Sequence, residues 1–441
     1  MDLPLPGQVD ACIYPLGLSD LHEMPKLHDP VSADVVVVGG GLLGLSTALH
    51  LSSFGVETVL LEKAQIGGRA SGRNGGQVTP GMARWKAQKM LCALPREDAR
   101  WLWRFSSQEA IELLDNLLDT HRILADRQHG HLTAAMHPAH VRVLTDELAA
   151  RHLLGEHGAH ILDPHELQSH LHSPIYHGAL LDNLGGQIHP QKLIRGLLRA
   201  FLQGGGKAYE NSPVLSLRAV SNGTEVMGVD ASIVARKAVV LAVHADTSLL
   251  QSQEDAMTLS LHSYLAATPP IEGGIRSLLP TGMPVYDTRL QIDYFRPYEH
   301  DRLLFGALGT SHRLTNEMII KRLQQRMCEV FPHRDDLRPE FFWAEEFDIT
   351  RSGLPIFRKS TAPVPVYTAY GWNGHGLVQT IRTGKAISDD FLRINHDFMK
   401  LTQFKHNAFP TRYLHKRDLA RLAMLSARMV SFLRPHKMLS S

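Results

Sequence analysis

Cysteine is scarce: three in 441 residues, Cys12, Cys92 and Cys328, far apart and in no C-x-x-C spacing. That excludes a disulfide framework, a cysteine zinc site and an iron–sulfur or dithiol centre, and it fits a reducing compartment. Long hydrophobic runs are missing too. No stretch approaches the roughly 20 apolar residues of a membrane-spanning helix, and the first thirty residues carry no basic segment leading into an apolar run. A cytoplasmic protein is expected, neither secreted nor membrane-spanning. Repeats and low-complexity blocks are absent, and 44% hydrophobic with 20% charged residues is the balance of a globular protein. Nor does one sign of charge prevail: Lys plus Arg is 46 against 44 for Asp plus Glu, a net of +2. Nine basic residues and one acid, Asp418, lie from Lys400 onward, so this tail holds +8 and the rest of the chain −6. Nucleic acid is therefore not an expected partner, because phosphate binding needs a basic face. Histidine is abundant at 26, yet the neighbours of His129 and His131 complete no ligand set. No metal is expected, and these two are read as loop or surface histidines.

What is present begins at Asp34. Four valines, Val35 to Val38, run into Gly39-x-Gly41-x-x-Gly44, then a helix through Ser46 to Phe54 ended by Gly55, then a second strand from Glu57 to Glu62. In this strand–helix–strand context Gly39 allows the tight turn, Gly41 lets backbone approach a pyrophosphate, and Gly44 lets helix pack on strand. The helix N-terminus offers amide donors and partial positive charge to a diphosphate. Glu62, 18 residues past Gly44, is placed to accept hydrogen bonds from a ribose. A dinucleotide is the expected ligand.

The segment from Lys63 to Gln77 is stripped of bulk. Ser71, Gly72, Gly75 and Gly76 permit close backbone approach, while Ser71, Arg73, Asn74 and Gln77 supply donors for a flat, polar, electron-accepting ring. From Asp34 to about Leu392 the chain resembles the amine-oxidising flavoproteins of the D-amino-acid oxidase type. The run from Ala70 to Gln77 is most similar to that of the gamma-glutamylputrescine oxidoreductase branch.

The resemblance implies an α/β fold: a Rossmann-like FAD-binding domain with an inserted α+β substrate domain, as in glycine oxidase and sarcosine oxidase. The expected division is an N-terminal extension (1–33), a discontinuous FAD domain (34–81, 179–245, 346–395), a substrate domain (82–178, 246–345) and a basic helical tail (396–441). Lys63 joins the cofactor residues. The strand from Val364 to Tyr370, the turn Gly371, Trp372, Gly374, His375, Gly376 and the helix behind it would close over the flavin. For Trp372 and His375 two readings stand, flavin contact or packing. The segment from Leu181 to Pro190 matches the family's return to the FAD domain, Val214 would touch the adenine side, and His244 departs from the small or amide residue expected there. Some relatives attach flavin to a histidine where Asn74 stands, others to a late cysteine, and none follows Cys328. Non-covalent FAD is expected.

On the substrate side, alternation from Leu290 to Pro297 puts Ile292, Tyr294 and Arg296 on one strand face and Asp293 and Phe295 on the other. Tyr294 falls where glycine oxidase-like enzymes place a substrate-touching tyrosine; with Arg296 and His375 it is a candidate catalytic residue. Four residues after Trp343, where alpha-amino-acid oxidases carry a carboxylate-binding arginine, this chain has Phe347. An alpha-carboxylate would lose its bidentate clamp, whereas an apolar wall suits the methylenes of a polyamine. Arg351 could replace the clamp, and Glu345 and Glu346 could attract a cationic amine or simply face solvent. The expected reaction is hydride transfer from the carbon beside nitrogen to flavin N5, with oxygen or another acceptor taking the electrons. Rival readings are an alpha-amino-acid oxidase or dehydrogenase and a non-catalytic flavoprotein. In the tail, Arg417, Arg421 and Arg428 share one helical face, and Leu422, Leu425, Met429 and Leu433 another. Docking on the body is expected, with an acidic membrane surface as the alternative.

Overall fold

Val35 to Val38 are all buried because the strand they form, Val31–Val38, sits between two others in a parallel sheet covered on both faces. The computed structural model describes residues 12–15, 23–243, 249, 256–361, 363–411 and 413–433; His244 lies outside the described residues. The first sheet runs in the order Ile356–Ser360, Val366–Tyr370, Ser232–Leu241, Val31–Val38, Thr58–Leu61, Lys207–Tyr209. All but the first of these strands are parallel to their neighbours, and the hairpin of Val214–Val220 with Gly223–Gly228 joins through Ser232–Leu241. Helix Leu42–Ser53 is buried at ten of its twelve positions, wedged between helices Leu377–Phe391 and Pro190–Gln203. Small and apolar residues on every side give it no solvent face.

The second sheet is largely antiparallel, ordered Phe341–Thr350, Thr258–Ala267, Arg302–Thr310, Tyr294–Tyr298, Val285–Asp287, Gln128–Ala134, Ala179–Gln187, Gln77–Val78, with Ala159–Leu162 also on Ala179–Gln187. Helix Asn316–Val330 contributes Ile319, Leu323, Met327 and Val330 to the apolar cluster that includes Phe295 and Phe305 of this sheet. This is the α/β architecture expected, a Rossmann-like half joined to an α+β half.

Several boundaries differ from expectation. Residues 179–187 belong to the second sheet, since they pair with Gln128–Ala134. No break falls at 345/346, because Phe341–Thr350 pairs residue for residue with Thr258–Ala267 along its whole length. The strand expected from Leu290 begins at Tyr294. Arg289 draws its neighbourhood into a loop by pairing with Asp287 at 3.1 Å and Asp293 at 2.6 Å, both fully buried. His129 and His131 are strand residues, not loop ones; His129 is exposed, whereas His131 is buried and bonded to Gln77 Oε1 at 3.0 Å. Helix Lys416–Leu433 docks on Thr258–Ala267 and Arg302–Thr310. The face it docks is Leu419, Ala420 and Met424, and Leu422, Leu425 and Met429 are exposed, contrary to the expected pattern.

Candidate active site

A cavity of about 860 Å³ lies between the two halves, lined by the glycine turn at Gly39 and Gly41, by Glu62 and Lys63, by residues 74–77, by Val214, by Tyr294 and by the turn from Trp372 to Gly376. Its dinucleotide end follows from the glycines. A Cβ on Gly39 (φ 110°) would stand 2.4 Å from the Ala242 carbonyl oxygen, and one on Gly44 1.9 Å from that of Gly39, so helix meets strand only through hydrogen. Helix Leu42–Ser53 starts on Gly41, which has no side chain to cap it, and carries no acid in its first turn, so its positive end favours an anion. Ser71 Oγ accepts from the Leu42 amide at 3.1 Å, and the Glu62 carboxylate accepts from the amides of Gly40 (2.8 Å) and Ala64 (3.0 Å).

The loop expected over 63–77 contains one helical turn, Ala70–Arg73. Asn74 shapes the backbone on either side of it: its Nδ2 donates to the carbonyls of Ala70 and Ser71, and its Oδ1 accepts from the Gly76 amide at 2.8 Å. Gln77 donates to the Val285 carbonyl at 2.9 Å. Arg73 does not line the cavity; it pairs with Glu345, and its carbonyl accepts from Trp343 Nε1 at 2.7 Å. The backbone of Gly75 and Gly76 therefore faces the cavity while side chains hold it in place. A Cβ on Gly75 would meet the Tyr294 ring at 2.7 Å.

The opposite wall is the turn from Gly371 to Gly376, in which Gly371 (φ 79°), Asn373 (φ 56°) and Gly374 (φ 75°) are left-handed. Gly371 shapes the turn without lining the cavity. Asn373 ties it to the second sheet: its amide donates to the Asp348 carbonyl (2.9 Å), its Oδ1 accepts from the Thr350 amide (2.9 Å), and its Nδ2 donates to the Gly371 carbonyl (2.8 Å). Trp372 is both packing and wall, buried with its edge on Phe357. His375 bonds Thr79 Oγ1 at 2.5 Å; burial, with Lys86 nearby, pushes its pKa down to about 3, so the ring is neutral.

Tyr294 and Arg296 leave their strand on the same side but do different things. Tyr294 lines the cavity over Gly75 and Gly306, with its hydroxyl 3.1 Å from Ser263 Oγ, and burial pushes it up to about 12. Arg296 lies beneath the loop and does not line the cavity, contrary to a catalytic role. Its Nε donates to the Gly75 carbonyl (2.6 Å) and its Nη2 to Tyr14 (3.1 Å), whose hydroxyl donates to the Asn74 carbonyl (2.7 Å). Phe347 lines the cavity against Gly374, whereas Arg351 is exposed with Nη1 directed to the Ala408 carbonyl. Glu345 and Glu346 also line the cavity, and Arg69 lies 3.8 and 3.9 Å from them.

Residues 34–389 match the family model described as FAD dependent oxidoreductase, DAO. The chain belongs to this family. Among its relatives, the DAO-family chain is 29% identical over 376 residues to the probable oxidoreductase OrdL of Haemophilus influenzae, covering 84% of this chain and 85% of that one. It is 29% identical over 387 residues to the gamma-glutamylputrescine oxidoreductase of Escherichia coli, covering 87% and 89%. Among solved structures, glycine oxidase from Geobacillus kaustophilus superposes with a TM-score of 0.70 at 19% identity (86% of this chain, all of that one). L-proline dehydrogenase from P. horikoshii gives 0.68 at 17% (89% and 99%). The DAO family is FAD-dependent, and the donor set here fits that group: a helix end with no acid in its first turn behind glycines that admit no Cβ, an acid at the next strand end, and a bare backbone edge at Gly75 and Gly76.

Four residues that shape this DAO-family site escaped sequence reasoning. Tyr14 and Asn373 act through backbone carbonyls and amides distant in sequence, for which no local pattern exists. Lys86 and Tyr286 line the cavity together, Lys86 Nζ donating to the Tyr286 hydroxyl at 3.0 Å. Burial would raise that phenol's pKa, but Lys86 and Thr133 beside it draw it below the usual tyrosine range. The alternation of Val285–Asp287 was the available signal, too short at three residues to stand out.

Proposed function

We propose that this enzyme oxidises an amine carried on an aliphatic chain, gamma-glutamylputrescine or a related polyamine derivative, at the carbon beside nitrogen. The product imine is hydrolysed by water to an aldehyde and ammonia or a smaller amine. When bound, non-covalently, FAD supplies the hydride acceptor at N5. The observation that carries the reading is Phe347 in the cavity wall with Arg351 turned out to solvent: neither position supplies an arginine for an alpha-carboxylate, and the apolar ring accepts methylenes. Gamma-glutamylputrescine is also what one relative is named for.

In this reading Tyr294 borders the substrate opposite the Gly75 backbone, and Arg296 acts as a positioning residue that keeps that backbone in place. His375, neutral and bonded to Thr79, orients the start of the late helix and takes no proton in the working pH range. Only the free-base amine reacts, so turnover rises with pH through the bound amine's pKa. Oxygen or another acceptor takes the electrons. Three free cysteines and putrescine-type chemistry suit a cytoplasmic enzyme of putrescine catabolism.

The test is anaerobic addition of gamma-glutamylputrescine to the purified holoenzyme while the visible spectrum is followed. Bleaching of an acid-releasable flavin is expected. A flavin that stays oxidised excludes that substrate, and one bleached by alpha-amino acids instead overturns the reading.

A further inference from the structure

Most charged side chains along the cavity are already matched: Asp287 holds Arg289 at 3.1 Å, and Arg69 faces Glu345 and Glu346. Arg84 and Lys86 are not. Both line the cavity, and among the described residues neither has a carboxylate within ion-pairing distance. The Arg84 stem lies against Gly353, and burial alone, with no counter-charge, lowers its pKa. Among the described residues Lys86 Nζ has one hydrogen-bond partner, the Tyr286 hydroxyl, which accepts from it at 3.0 Å. Two half-buried cations without a counter-charge lose hydration that nothing in the protein restores, so they are matched to an anion that arrives with a ligand.

Arg84 and Lys86 are two residues apart on the segment that leads into helix Ala87–Ala93, and both face the cavity. Tyr286, beside Lys86, sits four strands across the sheet from the strand of Phe347, whereas the Arg84 stem lies against Gly353, just past the end of that strand. Tyr286 and Tyr294 are directly paired across their strands, yet their hydroxyls diverge, one to Lys86 and the other to Ser263. Glu345 and Glu346 on the Phe347 strand face Arg69, whereas among the described residues Arg84 and Lys86 face no carboxylate.

We propose that Arg84 and Lys86, with the Tyr286 hydroxyl, form a subsite for a carboxylate that the amine substrate carries at a distance from the carbon it loses hydride from. The proposal rests on the amine-oxidation reading for what the other end of that ligand is, and its test does not depend on turnover. The probes are N-butylglutaramate, which has a carboxylate and no amine, and its neutral counterpart N-butylglutaramide. Their binding to the oxidised holoenzyme is read from the shift of the flavin spectrum. The wild type is expected to bind the carboxylate at least tenfold more tightly than the diamide. That ratio falls to near one in the Arg84→Met/Lys86→Met variant and survives in Lys86→Arg. Should the double variant lose its flavin, Arg84→Gln and Lys86→Met singly are each expected to lower the ratio severalfold. Equal affinities in the wild type, or a preference that persists when both cations are gone, overturns the subsite. A wild type that prefers the carboxylate but oxidises no amine removes the amine-oxidation reading and leaves the subsite standing.

Discussion

The Gly39 carbonyl oxygen leaves 1.9 Å for a Cβ on Gly44, and that oxygen is backbone, which cannot swing aside as a side chain would. Gly44→Ala must therefore push helix Leu42–Ser53 off its strand and misplace the amides that meet the diphosphate. We expect this variant to be purified with less than a tenth of the wild-type flavin, read as the ratio of visible to protein absorbance; full occupancy would show that the helix slides at no cost. Phe347 is the converse case, where the side chain and not its absence sets the chemistry. Phe347→Arg places a guanidinium in the cavity wall, where a bidentate carboxylate pair contributes about 1.5–3 kcal/mol. A gain of tenfold or more in the rate of flavin reduction by alpha-amino acids relative to amines is expected, and an unchanged preference would mean that Phe347 does not border the reacting carbon.

Helix Lys416–Leu433 shows how an element can be foreseen while its orientation is not. Its 3.6-residue periodicity and basic residues were plain, but the strongest apolar positions, Leu422 and Leu425, point to solvent, and the smaller Ala420 is buried against Leu259 and Leu261. Close approach to the sheet favours the smaller residue, which hydrophobicity alone does not signal. The same contrast holds elsewhere. Val31–Val38 and the glycine turn were legible because a buried parallel strand and a φ of 110° at Gly39 each demand one residue type. The inward turn at Arg289 and the Tyr14–Arg296–Gly75 chain were not: the first rests on buried ion pairs, and the partners in the second are 282 and 221 residues apart. Because Ala423 and Met424 line the cavity, a chain ending at His415 should keep its flavin yet bind the amine about tenfold more weakly, in line with roughly 1.5–3 kcal/mol for a buried apolar side chain. Anaerobic flavin reduction over a range of amine concentrations measures this, and an unaltered half-saturation point would show that the helix forms no part of the site.

At the scale of the whole molecule, the buried histidines fix how stability responds to acid. Burial pushes His131, His189 and His375 each down to about 3, against an ordinary value near 6.5. The unfolded chain therefore binds more protons below pH 6.5, and the stability these rings contribute, fully present above that value, is lost as pH falls toward 3. Between pH 7 and 5.5 the loss comes to roughly 1.3 kcal/mol per ring, about 4 kcal/mol for three. Asp287 opposes it: burial beside Asp293 pushes its carboxyl up to about 8, so over the same interval it adds stability as pH falls, about 2 kcal/mol. His50 and His406, each pushed down to about 4 by burial, act on the same side, so the histidines win and a net loss of stability is expected from urea unfolding at the two pH values. Replacing His131 with Gln, which can still reach Gln77, removes one titrating ring and leaves Asp287 untouched. The difference between pH 7 and 5.5 should then shrink by about 1 kcal/mol relative to the wild type. If it does not shrink, His131 is already protonated in the folded protein, and the Gln77 and Tyr286 wall of the cavity carries a charge that the buried geometry argues against.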